Sequence, residues 1–283
     1  MIWDIAILTG SGAGANGGDM SGTWRGLERD PGEVTRYLEL VTEVLDGTKR
    51  KSIDMLRLQP GGSALDVGCG LGRDAEIMLG AVGAAGRALG IDPNQDLIAK
   101  AIERTRSIFP RPEFRVGDAL ALEFADDTFD ACRADRVLQH LPDPGRAVAE
   151  MVRVTRPGGR ASVLDVDWHT LAIAGGDITV AQAVARHQAF VASSQGDVGR
   201  RLIELLMDAG CKGVEVNAEV ALFRDLGTAK FVLQIRNTLE AAISCGDIAR
   251  DAGEVWWKAV RELDARDRFL ASVNVVICAG TVS

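Results

Sequence analysis

Paired cysteines, basic runs and long apolar segments are all missing from this chain of 283 residues. The five cysteines, Cys69, Cys132, Cys211, Cys245 and Cys278, are odd in number, scattered, and form no C-x-x-C. That pattern argues against a disulfide framework and a zinc ribbon, and it fits a reducing compartment. No Lys/Arg run offsets the formal charge of −8. An acidic surface repels phosphate backbones, so nucleic acid is not the expected partner. No apolar stretch reaches the ~20 residues a membrane helix needs. The opening Ile2-Trp3-Asp4-Ile5-Ala6-Ile7-Leu8 is short, is interrupted by Asp4 and lacks a basic leader, so it is not read as a signal peptide. A cytoplasmic chain without membrane contact is the expectation. Histidine is scarce as well: His140, His169 and His187 are the whole set, which leaves few candidates for acid–base work or metal binding. What is present, 47% hydrophobic and 25% charged residues, is enough for one substantial core.

Residues 1–32 end in a stretch rich in Gly, Ser, Asp and Asn and read as a flexible extension. Residues 33–60 carry apolar positions at helical spacing (Val34, Leu38, Val41, Val44, Leu45, Ile53, Leu56), with a break expected near Asp46-Gly47. Residues 61–166 alternate short apolar runs with helical stretches. The expected strands are Ser63 to Val67, Ala88 to Ile91, Phe114 to Val116, Phe129 to Ala134 and Arg160 to Val166. The expected helices are Arg73 to Leu79, Pro93 to Ile108 and Gly145 to Thr155. Such alternation predicts an α/β fold, a Rossmann-like, mostly parallel seven-stranded sheet with helices on both faces. Strands over Val214 to Phe223 and Phe269 to Cys278 complete the seven. Helices are expected over Thr179 to Val191, Val198 to Ala209, Thr228 to Trp257 and Val260 to Asp267. The segments 170–196 and 226–267 exceed simple connections and are expected to form a helical cap. Residues 33–283 are thus read as a single domain.

The densest signal is Ala64-Leu65-Asp66-Val67-Gly68-Cys69-Gly70-Leu71-Gly72-Arg73. A strand runs into a glycine-rich turn, where glycines let the backbone bend sharply and approach a ligand. In a doubly wound sheet that turn sits at the carboxyl end of the strands, where ligands bind. Asp92, with Pro93 after it, ends the second strand, twenty residues beyond Gly72, and a carboxylate there can accept both hydroxyls of a ribose. Read alone, the glycines are a tight turn, and each Asp is a cap or solvated turn. A dinucleotide fingerprint would need glycine at position 73, where Arg73 stands. Gly12 to Gly17 does spell G-x-G-x-x-G, yet no amphipathic helix follows it and Asp30 is misplaced for its acid.

With Gly117-Asp118-Ala119, Phe129-Asp130, Arg136 to Leu141, and Arg153 to Gly159, the segment resembles the class I S-adenosylmethionine-dependent methyltransferases, in particular the ubiquinone/menaquinone-type branch of small-molecule enzymes. The resemblance covers roughly residues 37 to 166. It implies that S-adenosylmethionine lies along Asp66, Gly68, Gly70, Gly72 and Arg73, with S-adenosylhomocysteine as product. It implies the ribose on Asp92 and Pro93, the adenine on Asp118 and Ala119, and the amine near the backbone of Arg133 to Asp135. The implied activity is methyl transfer to an O, N or C atom of a small-molecule acceptor, in natural-product biosynthesis. A protein of the same fold that uses the cofactor for a cyclisation or rearrangement is the alternative, and an NAD-dependent oxidoreductase a further one. If the acceptor is a hydroxyl, His140 and then His169 are the candidate bases, each equally readable as packed or solvated. Asp167 and His169 alone make no metal site, and none is expected. Phe190, Phe231 and one of Trp256 and Trp257 could line an apolar pocket, or simply pack. The apolar N-terminal run could pair with a second copy of the chain.

Overall fold

The computed structural model describes residues 31–191 and 195–283. The N-terminal apolar run, the glycine stretch at 12–17 and Asp30 lie outside those residues. Helix α1 (Pro31–Asp54) is followed by β1 (Ser63–Val67), α2 (Arg73–Val82), β2 (Arg87–Asp92), α3 (Gln95–Arg104), β3 (Glu113–Val116), β4 (Phe129–Asp135), α4 (Pro144–Arg153) and β5 (Thr155–Ile173). Then come α5 (Ile178–Val191), α6 (Val198–Asp208), β6 (Cys211–Phe223), α7 (Leu226–Val232), α8 (Ile235–Ser244), α9 (Arg250–Asp264) and β7 (Ala271–Val282). The seven strands lie in the order β3-β2-β1-β4-β5-β7-β6. β1 to β5 are mutually parallel, and β7 runs antiparallel to both neighbours. The predicted α/β sheet is the observed one.

Period-two alternation assigns the two faces. Ala64 pairs with Ala88 and Ala131, and Leu65 with Leu89 and Cys132. The three alanines pack with Ile53, Leu56, Met78 and Val82 under α1 and α2. Leu65, Leu89 and Cys132 pack with Ala147, Val148, Leu202 and Leu206 under α4 and α6. Small residues on one face let α1 and α2 approach closely. A third apolar cluster joins Tyr37, Val41 and Leu45 of α1 to the far ends of β5 and β7 and to α5, α7, α8 and α9.

Three sequence expectations fail locally. α1 runs unbroken through Gly47, because Leu45, Thr48 and Ser52 are all buried; that packing outweighs the ~1 kcal/mol that glycine costs a helix. β5 extends well beyond the predicted strand, from Thr155 to Ile173, because β7 gives it an antiparallel partner along most of its length. The stretch from Thr228 to Asp267 is three helices, α7 to α9, and Trp257 and Val260 share the last. The first break is at Gln234, left-handed at φ 51°, which no Gly or Pro announces. Caps explain other boundaries: Asn94 Oδ1 accepts from the Asp96 and Leu97 amides and starts α3, and Asp143 caps α4 ahead of Pro144.

Candidate active site

The β1–α2 turn is shaped by what its glycines lack. Gly68, Gly70 and Gly72 have φ of 71°, 50° and 73°, the left-handed region that costs other residues about 1–2 kcal/mol. A Cβ on Gly68 would lie 2.3 Å from Val137 Cγ2, and one on Gly72 2.4 Å from the Phe114 ring. At Gly70 the nearest neighbour would be Leu38 of α1, at 3.5 Å. The turn is therefore wedged between α1 and the segment after β4.

Asp92 braces the turn from the next strand. Its Oδ2 accepts the Gly70 amide at 3.0 Å and its Oδ1 the Asn94 amide at 2.9 Å. Each oxygen keeps a further lone pair for a ligand. Burial raises its pKa, and the two amides pull it back. Pro93 and Arg73 are exposed beside it. Asp118 is exposed too, its Oδ1 accepting the Leu120 amide at 2.9 Å in a local turn, while Ala119 is buried.

Beneath the turn lies a buried charge cluster that sequence reading missed. Alternation puts Asp66, Arg133 and Asp135 on the face of α1 and α2, where Lys49 and Asp74 meet them. Arg133 is fully buried. Its guanidinium donates to Ser52 at 2.8 Å, Asp74 at 2.9 Å, Asp135 at 3.0 Å and Asp66 at 3.3 Å. Lys49 Nζ pairs with Asp74 at 2.7 Å and with Asp135. Asp66 Oδ2 is buried without a hydrogen-bond partner. Burial raises the Asp66 pKa, only partly offset by Arg133. For Asp135 burial is outweighed by Lys49, Arg133 and Arg136, which hold it well below the usual range. The Arg133 side chain is thus a strut of the site floor. One sign was available in the sequence: polar Lys49 and Ser52 fall on the buried stripe of α1 between Leu45 and Ile53.

The histidines sit differently. His140 ends a short 3-10 turn after β4, and burial, reinforced by Arg136, lowers its pKa to about 4. We predict that its imidazole stays neutral from pH 8 down to pH 5. Side-chain NMR should show no titration there, and a midpoint near 6.5 would contradict it. Its folded pKa is depressed, so the unfolded chain takes up the proton first. Wild type should therefore lose stability relative to His140→Gln as pH falls from 6.5 to 4, by at most about 3 kcal/mol. His169 is exposed and meets the exposed Phe190 edge-on at 6.0 Å. Phe190 is 76% exposed and does not line the pocket described below. Trp256 and Trp257 are both buried, contrary to the one-face argument, because Gly176 and α5 cover one and Arg236 covers the other at 5.5 Å. Asp167 is engaged by Arg200 at 2.8 and 2.9 Å. His187 is half-buried and lies 3.6 Å from Asp247. With Cys245 these two form the one group among the described residues whose ligand atoms, within 4.8 Å of one another, could hold a metal; His187 comes from α5 and Cys245 and Asp247 from the turn after α8, so no short motif joins them.

Beside the turn, α1, the segment after β4, and the far ends of β5, β6 and β7 border a pocket of about 370 Å³, open solvent included. Val41, Leu45, Val166, Phe223 and Val275 line it, with Tyr37, Arg136, Gln139 and Trp168 as the side chains that carry polar atoms. It abuts the glycine turn through chain neighbours: Leu38 touches Gly70 beside Tyr37, and Val137 touches Gly68 beside Arg136.

Comparison with known proteins agrees with this geometry. A family described as a methyltransferase domain matches residues 65–163. An uncharacterized 37.1 kDa protein in transposon Tn4556 of Streptomyces fradiae is 38% identical over 227 residues, 80% of this chain and 66% of that one. The methyltransferase GfsG of Streptomyces halstedii is 35% identical over 113 residues, 40% of this chain and 41% of its own length. The chain thus spans less than two thirds of either relative. Among solved structures, the 4+2 cyclase SpnF superposes with a TM-score of 0.51 at 22% identity, covering 83% of this chain and 81% of its own. At that identity the likeness concerns the fold alone. The glycine turn, the bracing carboxylate and the strand order thus agree with the methyltransferase domain matched over residues 65–163, and in that segment the chain is similar to the class I S-adenosylmethionine-dependent methyltransferases.

Proposed function

We propose that the chain binds S-adenosylmethionine across the glycine turn and transfers its methyl group to a small molecule in the adjoining cavity. One observation carries this reading: a left-handed glycine turn braced by Asp92 at the carboxyl ends of adjacent parallel strands, bordering an apolar cavity. The cradle fits the cofactor. Side chains are absent where a nucleoside must approach, and Asp92 keeps a lone pair on each oxygen for ribose hydroxyls. The orphaned Asp66 Oδ2 is an acceptor of the kind an ammonium satisfies. Asp118 and Ala119 would hold the adenine in the same reading. When bound, the cofactor supplies an activated methyl on a sulfonium. The protein's part is to align the acceptor with that carbon and exclude water. α1 and α7 form the apolar wall, α7 being the part of the expected cap segment 226–267 that reaches it. With a pKa of about 4, His140 is a weak base, so alignment carries more of the rate than proton removal. His169, exposed on β5, has no place at the cavity wall.

Among the described residues no helix is long and apolar enough to cross a membrane, and the acceptor is read as a small biosynthetic molecule. Self-association, if used, has its surface on the edge strand β6, where Val216, Val220 and Leu222 are about half exposed. The test is turnover against a natural-product panel with S-adenosylmethionine present. S-adenosylhomocysteine should form in a one-to-one ratio with methylated product. Product formed with the cofactor unconsumed would replace methyl transfer by a cyclisation or rearrangement. The oxidoreductase alternative would need product only with NAD, and Arg73 in place of the third glycine speaks against it.

A further inference from the structure

We propose that Arg136 anchors the acceptor through an anionic oxygen, so that the acceptor is a largely apolar molecule bearing one carboxylate, phenolate or enolate. This rests on the reading of the cavity given above. The walls are apolar, and the polar groups in them are largely committed. Gln139 Oε1 accepts the Trp168 indole N–H at 2.6 Å. The Tyr37 hydroxyl accepts from Arg136 Nη1 at a long 3.5 Å. Arg136 is the cation among the lining residues. Its side chain is 10% exposed.

Arg136 is also built unusually. Its backbone is left-handed, φ 55°, a conformation that a non-glycine residue holds at a cost and that concentrates at functional sites. The Arg136 amide is pinned there by the Leu164 carbonyl at 2.7 Å. The side chain is held short of full pairing. Nε lies 3.4 Å from Asp135 Oδ1 and makes no hydrogen bond. Asp135 is already shared with Lys49 and Arg133. Of the other carboxyls facing this region, Asp165 accepts the Gln139 and Val166 amides and is pushed up to about 7, chiefly by burial. Asp66 is also raised. Asp74 belongs to the same group and pairs with Lys49 and Arg133, so Arg136 is the cation there left with a long, incomplete pairing. A buried guanidinium is costly unless paired, and its planar fork suits an oxyanion. An acceptor anion completes the hydrogen bonding of this fork.

The test uses the full chain saturated with S-adenosylhomocysteine, whose own binding is measured first. Two probe pairs are then titrated by calorimetry: 2-naphthoate against 2-naphthamide, and 4-nitrophenolate against 4-nitroanisole. At least one anion should bind ten-fold or more tightly than its neutral partner, and the pair that discriminates identifies the oxyanion as carboxylate or phenolate. Arg136→Gln should erase that preference and leave S-adenosylhomocysteine affinity unchanged; Arg136→Lys, a second check on folding, should keep part of it. Equal affinity within both pairs, no binding of any probe, or a preference that survives in Arg136→Gln would overturn the proposal. Failure to bind S-adenosylhomocysteine would count instead against the cofactor reading.

Discussion

Replacing Arg133 by Met is expected to remove about 3 to 5 kcal/mol of stability, the loss typical of breaking a buried ion pair from one side. Arg133 is fully buried and donates to Ser52, Asp66, Asp74 and Asp135. Methionine fills most of its volume, so the loss reports charge and not a cavity. Lys49, with Arg136 at 3.4 Å from Asp135, would be left to face the acids. Those acids can escape by taking up protons, so the deficit should shrink as pH falls from 7 to 5. Urea unfolding at both pH values measures it. A loss below about 1 kcal/mol, or one that grows on acidification, would show that the cluster does not hold the floor of the site.

Gly68→Ala is expected to weaken S-adenosylhomocysteine binding at least ten-fold. The added Cβ meets Val137 Cγ2 at 2.3 Å, so the turn or the segment after β4 must move. Gly61→Ala is the control. Its φ of 82° carries the same backbone strain, with nothing within 4 Å of the new methyl. Both variants should lose about 1–2 kcal/mol from the left-handed backbone, and Gly68→Ala alone should lose ligand. Equal affinities in the two variants would show that the close approach at Gly68 does not shape the pocket.

The parallel core was readable from sequence because short apolar runs alternate with helical stretches over residues 61–166, and because Gly68, Gly70 and Gly72 mark a turn after the first of those runs. Asp92 was readable from its distance to that turn. The floor of the site was harder. Lys49 and Asp74 come from separate helices, and only the polar interruption of the α1 stripe hints that they meet Arg133. Arg136 carries no motif of its own; its left-handed backbone is set by a tertiary bond to Leu164. Near the C-terminus, the break at Gln234 and the burial of both Trp256 and Trp257 depend on packing from several sides, which periodicity along one helix does not encode.

The central claim is that the glycine turn and Asp92 form a nucleoside cradle, and calorimetric titration of the folded wild-type chain with S-adenosylhomocysteine tests it most directly. The account predicts saturable one-to-one binding that Asp92→Ala weakens several-fold or more. A well-folded chain that takes up none of it, or an Asp92→Ala variant that binds as tightly as wild type, would contradict the account.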